Sequence, residues 1–317
     1  MDLSLDIANI TEKLLENQPS SGLKTATSLL IDNYKNNSGT GEEIIKDKLS
    51  AEIYACYRLP ATYKATLQAL KYVLEIKSTN YHTVIDVGAG SGAASIAVSS
   101  LLSPSSIICL ERNSYMKEVG EYIFNELDIK NKPIYKDFDL VNDNLNDKGD
   151  LVLSSYLFNE LNEKDIKSSL LKMWNKSKDT LLIIEPGTPR GFSIIRYIRD
   201  ILVREGGYII APCTHMHECP LSSTDWCHFI TRVNRTKLHK MLKSGDAPYE
   251  DEKYCYIAFS KSPIEIASHR ILRRPIINKG NVKVTLCNES GVIEKIFSKK
   301  DGQIYKNVRK SQAGDKI

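Results

Sequence analysis

Val84-Ile85-Asp86-Val87-Gly88-Ala89-Gly90-Ser91-Gly92-Ala93-Ala94-Ser95-Ile96-Ala97-Val98 is the stretch that decides the fold. Four residues of strand character run into an Asp-x-Gly-x-Gly-x-Gly turn, and small apolar residues then continue at helical spacing. Gly88, Gly90 and Gly92 let the chain turn tightly and bring bare backbone against a ligand. Backbone N–H groups at the start of the following helix are free to meet a carboxylate or a phosphate. The spacing is G-x-G-x-G rather than the dinucleotide G-x-G-x-x-G, and Asp86 precedes it. S-adenosylmethionine is therefore expected ahead of a nicotinamide cofactor or a purely structural turn.

Further elements of the same site follow at strand ends. Glu111 closes the next strand, where a carboxylate can accept both ribose hydroxyls. Asp137 or Asp139, after the third strand, is placed for the adenine amino group, and Ser154 and Tyr156 end the fourth strand beside the expected methyl group. Asp150 reads as a solvated turn residue. The segment Ser154–Leu161 lacks the Asn/Asp-Pro-Pro-Tyr and Pro-Cys arrangements that hold or attack a base. No general base can be assigned.

Alternation of strands and helices extends from about Tyr81 to Pro263. Strands are expected at Thr83–Val87, Ser106–Leu110, Pro133–Tyr135, Leu151–Ser154, Thr180–Ile184, Tyr208–Ala211 and Tyr254–Phe259. Seven strands with an antiparallel last one give a doubly wound α/β, class I methyltransferase plan. Residues 1–78 read as an N-terminal helical region broken at Ser38-Gly39-Thr40-Gly41, with Tyr54–Leu74 as one helix and Pro60 near its first turn. The methyltransferase domain spans 79–262, with a cysteine-bearing loop at 211–255. Residues 263–317 form a basic, β-rich extension ending in a basic helix or tail at Lys299–Lys310.

The charged fraction of 26% and hydrophobic fraction of 42% suit a soluble globular chain, and no apolar run approaches the roughly 20 residues of a bilayer span. No membrane partner is expected, and a monomer is. The Met1–Asp6 start carries neither a secretory signal nor an Arg-rich leader, which points to a cytosolic setting. The net charge of +4 is uneven: from Lys261 onward 13 Lys or Arg face 5 Asp or Glu, the footprint of a polyanionic partner. Lys299, Lys300, Lys306, Arg309 and Lys310 are the candidate phosphate contacts.

Seven cysteines without a secretory signal argue against a disulfide framework. Cys56, Cys109 and Cys287 read as packed thiols. Cys213 and Cys255, at the ends of strands six and seven, share one sheet edge, and the connection between them carries Cys219 and Cys227. Four soft thiolates suit zinc or an iron–sulfur cluster, and the wide spacing does not match the paired C-x2-C of zinc ribbons. The interleaved His215, His217 and His228 are expected in the loop or behind the ligands.

Several segments together resemble one family, the methyltransferase-like proteins associated with the mitochondrial small ribosomal subunit and their bacterial relatives. They are Tyr54–Tyr63, the glycine turn, Ser155–Leu161, Ile184–Gly191, Ala211–His215 and Ser298–Tyr305. The resemblance covers roughly residues 50–317. It implies small-subunit assembly or translation, contact with ribosomal RNA, and a [4Fe-4S] site carried by Cys213, Cys219, Cys227 and Cys255. It leaves methyl transfer itself open, and the absent transit leader fits a bacterial, cytoplasmic member.

Overall fold

The computed structural model describes residues 2–243 and 245–317. Three helices come first: α1 (Ser4–Leu14), α2 (Ser20–Asn37) and α3 (Lys48–Leu74). Asp47 caps α3, its carboxylate accepting the Ser50 N–H at 2.8 Å. That cap starts the helix well before Tyr54, so Pro60 lies in the helix interior and not in its first turn.

The main sheet holds β1 (Thr83–Val87), β2 (Ser106–Glu111), β3 (Ile134–Asp137), β4 (Gly149–Ser155), β5 (Ser177–Pro186), β6 (Tyr208–Ala211), β7 (Phe229–Asn234) and β8 (Tyr249–Ser260). Its order is β3-β2-β1-β4-β5-β8-β6, parallel through β5, with β8 antiparallel to both its neighbours. This is the class I methyltransferase topology. The intervening helices are α4 (Ala93–Leu101), α5 (Ser114–Glu126), α6 (Glu163–Lys176), α7 (Pro189–Arg204) and the short α8 (Lys237–Leu242).

Both faces of the sheet are covered. Along β1, Val84 packs toward α3 and α4 while Ile85 and Val87 pack toward α6 and α7, the period of two that a doubly covered strand requires. The sheet has eight strands where seven were expected. The extra one, β7, pairs with the first half of β8 from Phe229↔Tyr254 to Asn234↔Tyr249. Cys255 therefore lies within a long strand instead of opening a short one.

Residues 270–308 form a second, antiparallel sheet: β9 (Arg270–Ile271), β10 (Ile276–Asn278), β11 (Asn281–Asn288) and β12 (Gly291–Ser298), followed by a 3-10 turn (Lys299–Asp301) and α9 (Gly302–Val308). It has its own small core of Ile271, Val282, Val284, Leu286, Phe297, Tyr305 and Val308. The expected basic helix is thus a packed element. No helix of the described residues is long and apolar enough to cross a membrane.

Candidate functional site: a glycine-lined cleft and a thiol-lined cavity

The strand order reverses at β1, between β2 and β4, which opens a crevice beyond the carboxyl ends of these strands. A cleft of about 1050 Å³ lies there, floored by Gly88, Ala89, Gly90 and Ser91. All three turn glycines have positive φ, +67° at Gly88, +54° at Gly90 and +88° at Gly92. Glu111 lines the cleft and is held by two backbone donors, Gly90 N–H at 2.7 Å and Asn113 N–H at 2.8 Å. Burial raises its pKa, and those bonds oppose the rise.

Other expected residues fall elsewhere. Asp86 is fully buried behind the turn and accepts from the Ser95 N–H and Oγ, so it braces α4 and does not reach the cleft. Gly92 likewise sits at the head of α4, outside the lining. Asp137 points to solvent, its side chain 80% exposed and paired with Lys117; Phe138 and Asp139 line the cleft instead. Ser154 is buried within the sheet, and Ser155 faces the cleft, with its Oγ 2.9 Å from Thr66 Oγ1 of α3. Tyr156 does line the cleft and adopts φ +63°, rare for a bulky residue. Its hydroxyl donates to Glu252 at 2.8 Å, and Arg58 of α3 forks onto the same carboxylate.

Two features escaped the sequence reading. The cleft is roofed by the N-terminal region: Tyr34, Glu42, Glu43, Ile44, Ile45, Tyr54, Leu59 and Thr62 face it. Bonds from Arg112 to Gly41 O and from Asn113 to Glu43 and Ile45 O hold this roof. Glu185 accepts the Phe158 and Asn159 N–H groups from behind and so positions the loop after β4.

A second cavity, of about 620 Å³, lies where the connection after β6 meets the C-terminal sheet. Cys213, Cys219, Cys227 and Cys255 all line it, and so does Cys287 of β11. Cys287 is half-buried against the main core and also borders this cavity; its Sγ meets Thr214 Oγ1 at 3.7 Å and lies 3.9 Å from His215 Nε2. Cys255 is offset, its Sγ donating to Pro186 O at 3.1 Å. Burial pushes the Cys213 thiol up to about 11, with Arg199 pulling it down. Among the described residues no three His, Cys, Asp or Glu side chains stand in metal-binding geometry. Three buried side-chain nitrogens of residues on the cavity wall nonetheless have no hydrogen-bond partner among the described residues: Arg199 Nε, His215 Nδ1 and Arg270 Nη2.

Residues 48–317 match the family model described as mitochondrial small ribosomal subunit Rsm22. The chain belongs to the Rsm22 family. Similar members are the mitochondrial ribosome assembly protein METTL17 of Homo sapiens, 23% identical over 83% of this chain and 61% of its own, and the mitochondrial ribosome assembly protein RSM22 of Saccharomyces cerevisiae, 24% identical over 43% and 38%. The chain thus spans less than two thirds of these relatives' length. Among solved structures, a putative RNA methyltransferase of Pyrococcus horikoshii overlaps 75% of the chain and 96% of its own at TM-score 0.43 and 19% identity. Magnesium protoporphyrin IX methyltransferase of Synechocystis overlaps 83% and 100% at TM-score 0.43 and 12% identity. Strand order, not these overlaps, establishes the fold.

The buried carboxyls of this Rsm22-family chain set its pH response. Desolvation raises Asp86 and Glu160 to about 7 and Glu185 to about 8. Folding favours their protonated forms, so their contribution is full below about pH 4, declines from there, and is gone once pH has risen through 7 to 8. Glu250 acts oppositely: against desolvation, His239, Lys243 and Arg235 hold its carboxyl far below the ordinary range, a contribution lost as pH falls below about 4. The thermal unfolding midpoint should therefore be highest near pH 4 to 5 and lie roughly 5 °C lower at pH 8.5. A flat Tm from pH 6 to 9 would refute the burial of these groups.

Proposed function

We propose that this protein binds S-adenosylmethionine in the glycine-lined cleft, carries a [4Fe-4S] cluster in the thiol-lined cavity, and acts in small ribosomal subunit assembly by docking on ribosomal RNA. The names of the relatives support the assembly role. The observation that carries the cluster is the cavity's composition, five thiols beside two buried guanidinium nitrogens, Arg199 Nε and Arg270 Nη2, that lack a hydrogen-bond partner among the described residues. Uncompensated buried donors are costly, and an anionic, thiolate-held group answers them. When bound, such a cluster would supply structural bracing and one-electron chemistry; no step depends on it here.

Cys213, Cys219 and Cys227 would hold the cluster, and we assign the fourth place to Cys287 in preference to Cys255. The Cys255 thiol is engaged with the Glu185 and Pro186 carbonyls, whereas the Cys287 Sγ meets Thr214 Oγ1 and His215 Nε2 at the mouth of the connection that carries Cys213 and Cys219. Protein purified without oxygen should be brown with about four irons per chain. Serine at 213, 219, 227 or 287 should each lose the iron, while Cys255→Ser should keep it. Colourless protein with one zinc would leave the thiols as a structural zinc site. Retention of iron in Cys287→Ser and its loss in Cys255→Ser would restore Cys255 as ligand.

For RNA, the supporting feature is the exposed basic run that follows the C-terminal sheet, in the 3-10 turn and α9. Lys299, Lys300, Lys306, Arg309 and Lys310 are all exposed, and none is in an ion pair among the described residues. Contacts from such a surface are salt-sensitive and largely independent of sequence. A scaffold that binds the cofactor without transferring its methyl group is the second reading. Tyr156, beside the expected methyl position, has its hydroxyl committed to Glu252 and is not poised to take a proton. Label transfer from the cofactor to precursor small-subunit RNA separates the two readings.

A further inference from the structure

The cleft has a marked charge imbalance. Glu42, Glu43, Glu111, Asp139 and Glu160 line it, against Arg112 as its one lining cation among the described residues. Most of the carboxylates are engaged. Glu111 accepts two backbone N–H groups, Glu43 accepts the Asn113 amide, and Asp139 accepts from Val141 and Asn142 while facing Arg112 at 3.8 Å. Glu42 and Glu160 differ: among the described residues neither carboxyl has a hydrogen bond or an ion pair, but Glu42 is exposed at the rim, whereas Glu160 is half-buried and its backbone is fixed by bonds with Gly41 and Leu157. The rings of Tyr34 and Tyr54, 5.1 Å apart and tilted by 30°, line the same space from α2 and α3. Removal from solvent and the nearby Glu111 raise the Glu160 pKa, and Arg112, close by but not in an ion pair with it, only partly opposes the rise.

We propose that the cleft selects the positively charged sulfonium form of the cofactor over its neutral, demethylated product, and that Glu160 is the residue that makes this selection. The inference rests on the reading that the cleft holds S-adenosylmethionine. The two forms share adenosine, ribose and amino-acid parts, so Glu111 and the glycine turn meet both alike. They differ by one methyl group and one positive charge. A carboxylate without a partner in a poorly solvated cleft responds to that charge, and tyrosine faces add cation–π attraction. A cleft of this kind would retain the methylated cofactor and release the product, so occupancy would follow the methyl supply.

The test is calorimetric titration at pH 8 with S-adenosylmethionine, S-adenosylhomocysteine and sinefungin, which carries an ammonium in place of the sulfonium. Wild type should bind both cationic ligands about tenfold or more tighter than S-adenosylhomocysteine. Glu160→Gln should weaken the cationic pair about tenfold and leave S-adenosylhomocysteine unchanged, which also shows the variant to be folded. Equal affinities in wild type, tighter binding of the product, or an equal loss for all three ligands in Glu160→Gln would overturn the selection. Absence of binding by all three to wild type would instead overturn the cofactor reading itself, and the selection with it.

Discussion

Gly88→Val is expected to lower affinity for S-adenosylmethionine by roughly 100-fold or more while leaving a folded protein. The residue combines φ +67° with a place on the cleft floor, so any side chain is strained and projects where the cofactor must lie. A Cβ there would come 2.7 Å from Leu157 Cδ1, the end of a flexible side chain that can turn aside. Gly92 provides the contrast. Its Cβ would stand 2.3 Å from the Phe124 ring and 2.8 Å from Tyr135 Oη, inside the packing of α4 against α5, and it does not line the cleft. Gly92→Val should therefore act first on stability, by about 3 kcal/mol from overpacking and backbone strain. Calorimetric titration paired with thermal melts reads both effects. Unchanged cofactor affinity in a folded Gly88→Val protein would sink the cleft as the cofactor site.

The same turn explains why so much of the fold was legible. Its glycines, the alternation that follows and the carboxylate at Glu111 are local signals, each decided within a few residues of chain. What was missed depends on parity or on distant packing. Consecutive strand residues face opposite ways, so a reading off by one put Ser154 in place of Ser155. At the end of β3 the sequence favours Asp137 over Asp139, and only the turn beyond the strand shows that Asp139 is the carboxylate reaching the cleft. Strand β7 carries only a weak signal, since the exposed Ile230 breaks the alternation between the buried Phe229 and Val233, and its span lies among the cysteines of the 211–255 loop. Cys287 could not be found locally. It reaches the other thiols because a separate sheet, 60 residues beyond Cys227 in sequence, packs against the connection after β6.

The link between those two sheets is Arg270, and its removal should be the most destabilising single change in the C-terminal half. The side chain is 1% exposed, donates to Pro212 O at 3.0 Å and to Gly314 O at 2.8 Å, and lies 5.8 Å from the Tyr72 ring. Arg270→Met would orphan both carbonyls and unfasten the segment that leads into Cys213, a loss of about 3 to 5 kcal/mol and roughly 10 °C in Tm. Arg270→Lys should recover little, because an ammonium cannot span two carbonyls as the guanidinium fork does. The guanidinium is also a buried cation with no carboxylate in an ion pair with it among the described residues, and its Nη2 points at the thiol cavity without a partner. A buried charge in that position needs an anion. If thiolate-held iron is that anion, chelating the iron should lower the Tm of wild type by several degrees, about 1 to 2 kcal/mol, and should lower that of Arg270→Met by clearly less. Identical shifts in the two proteins would show that the guanidinium and the thiols are energetically independent, and the case for a negative occupant of the cavity would then fall.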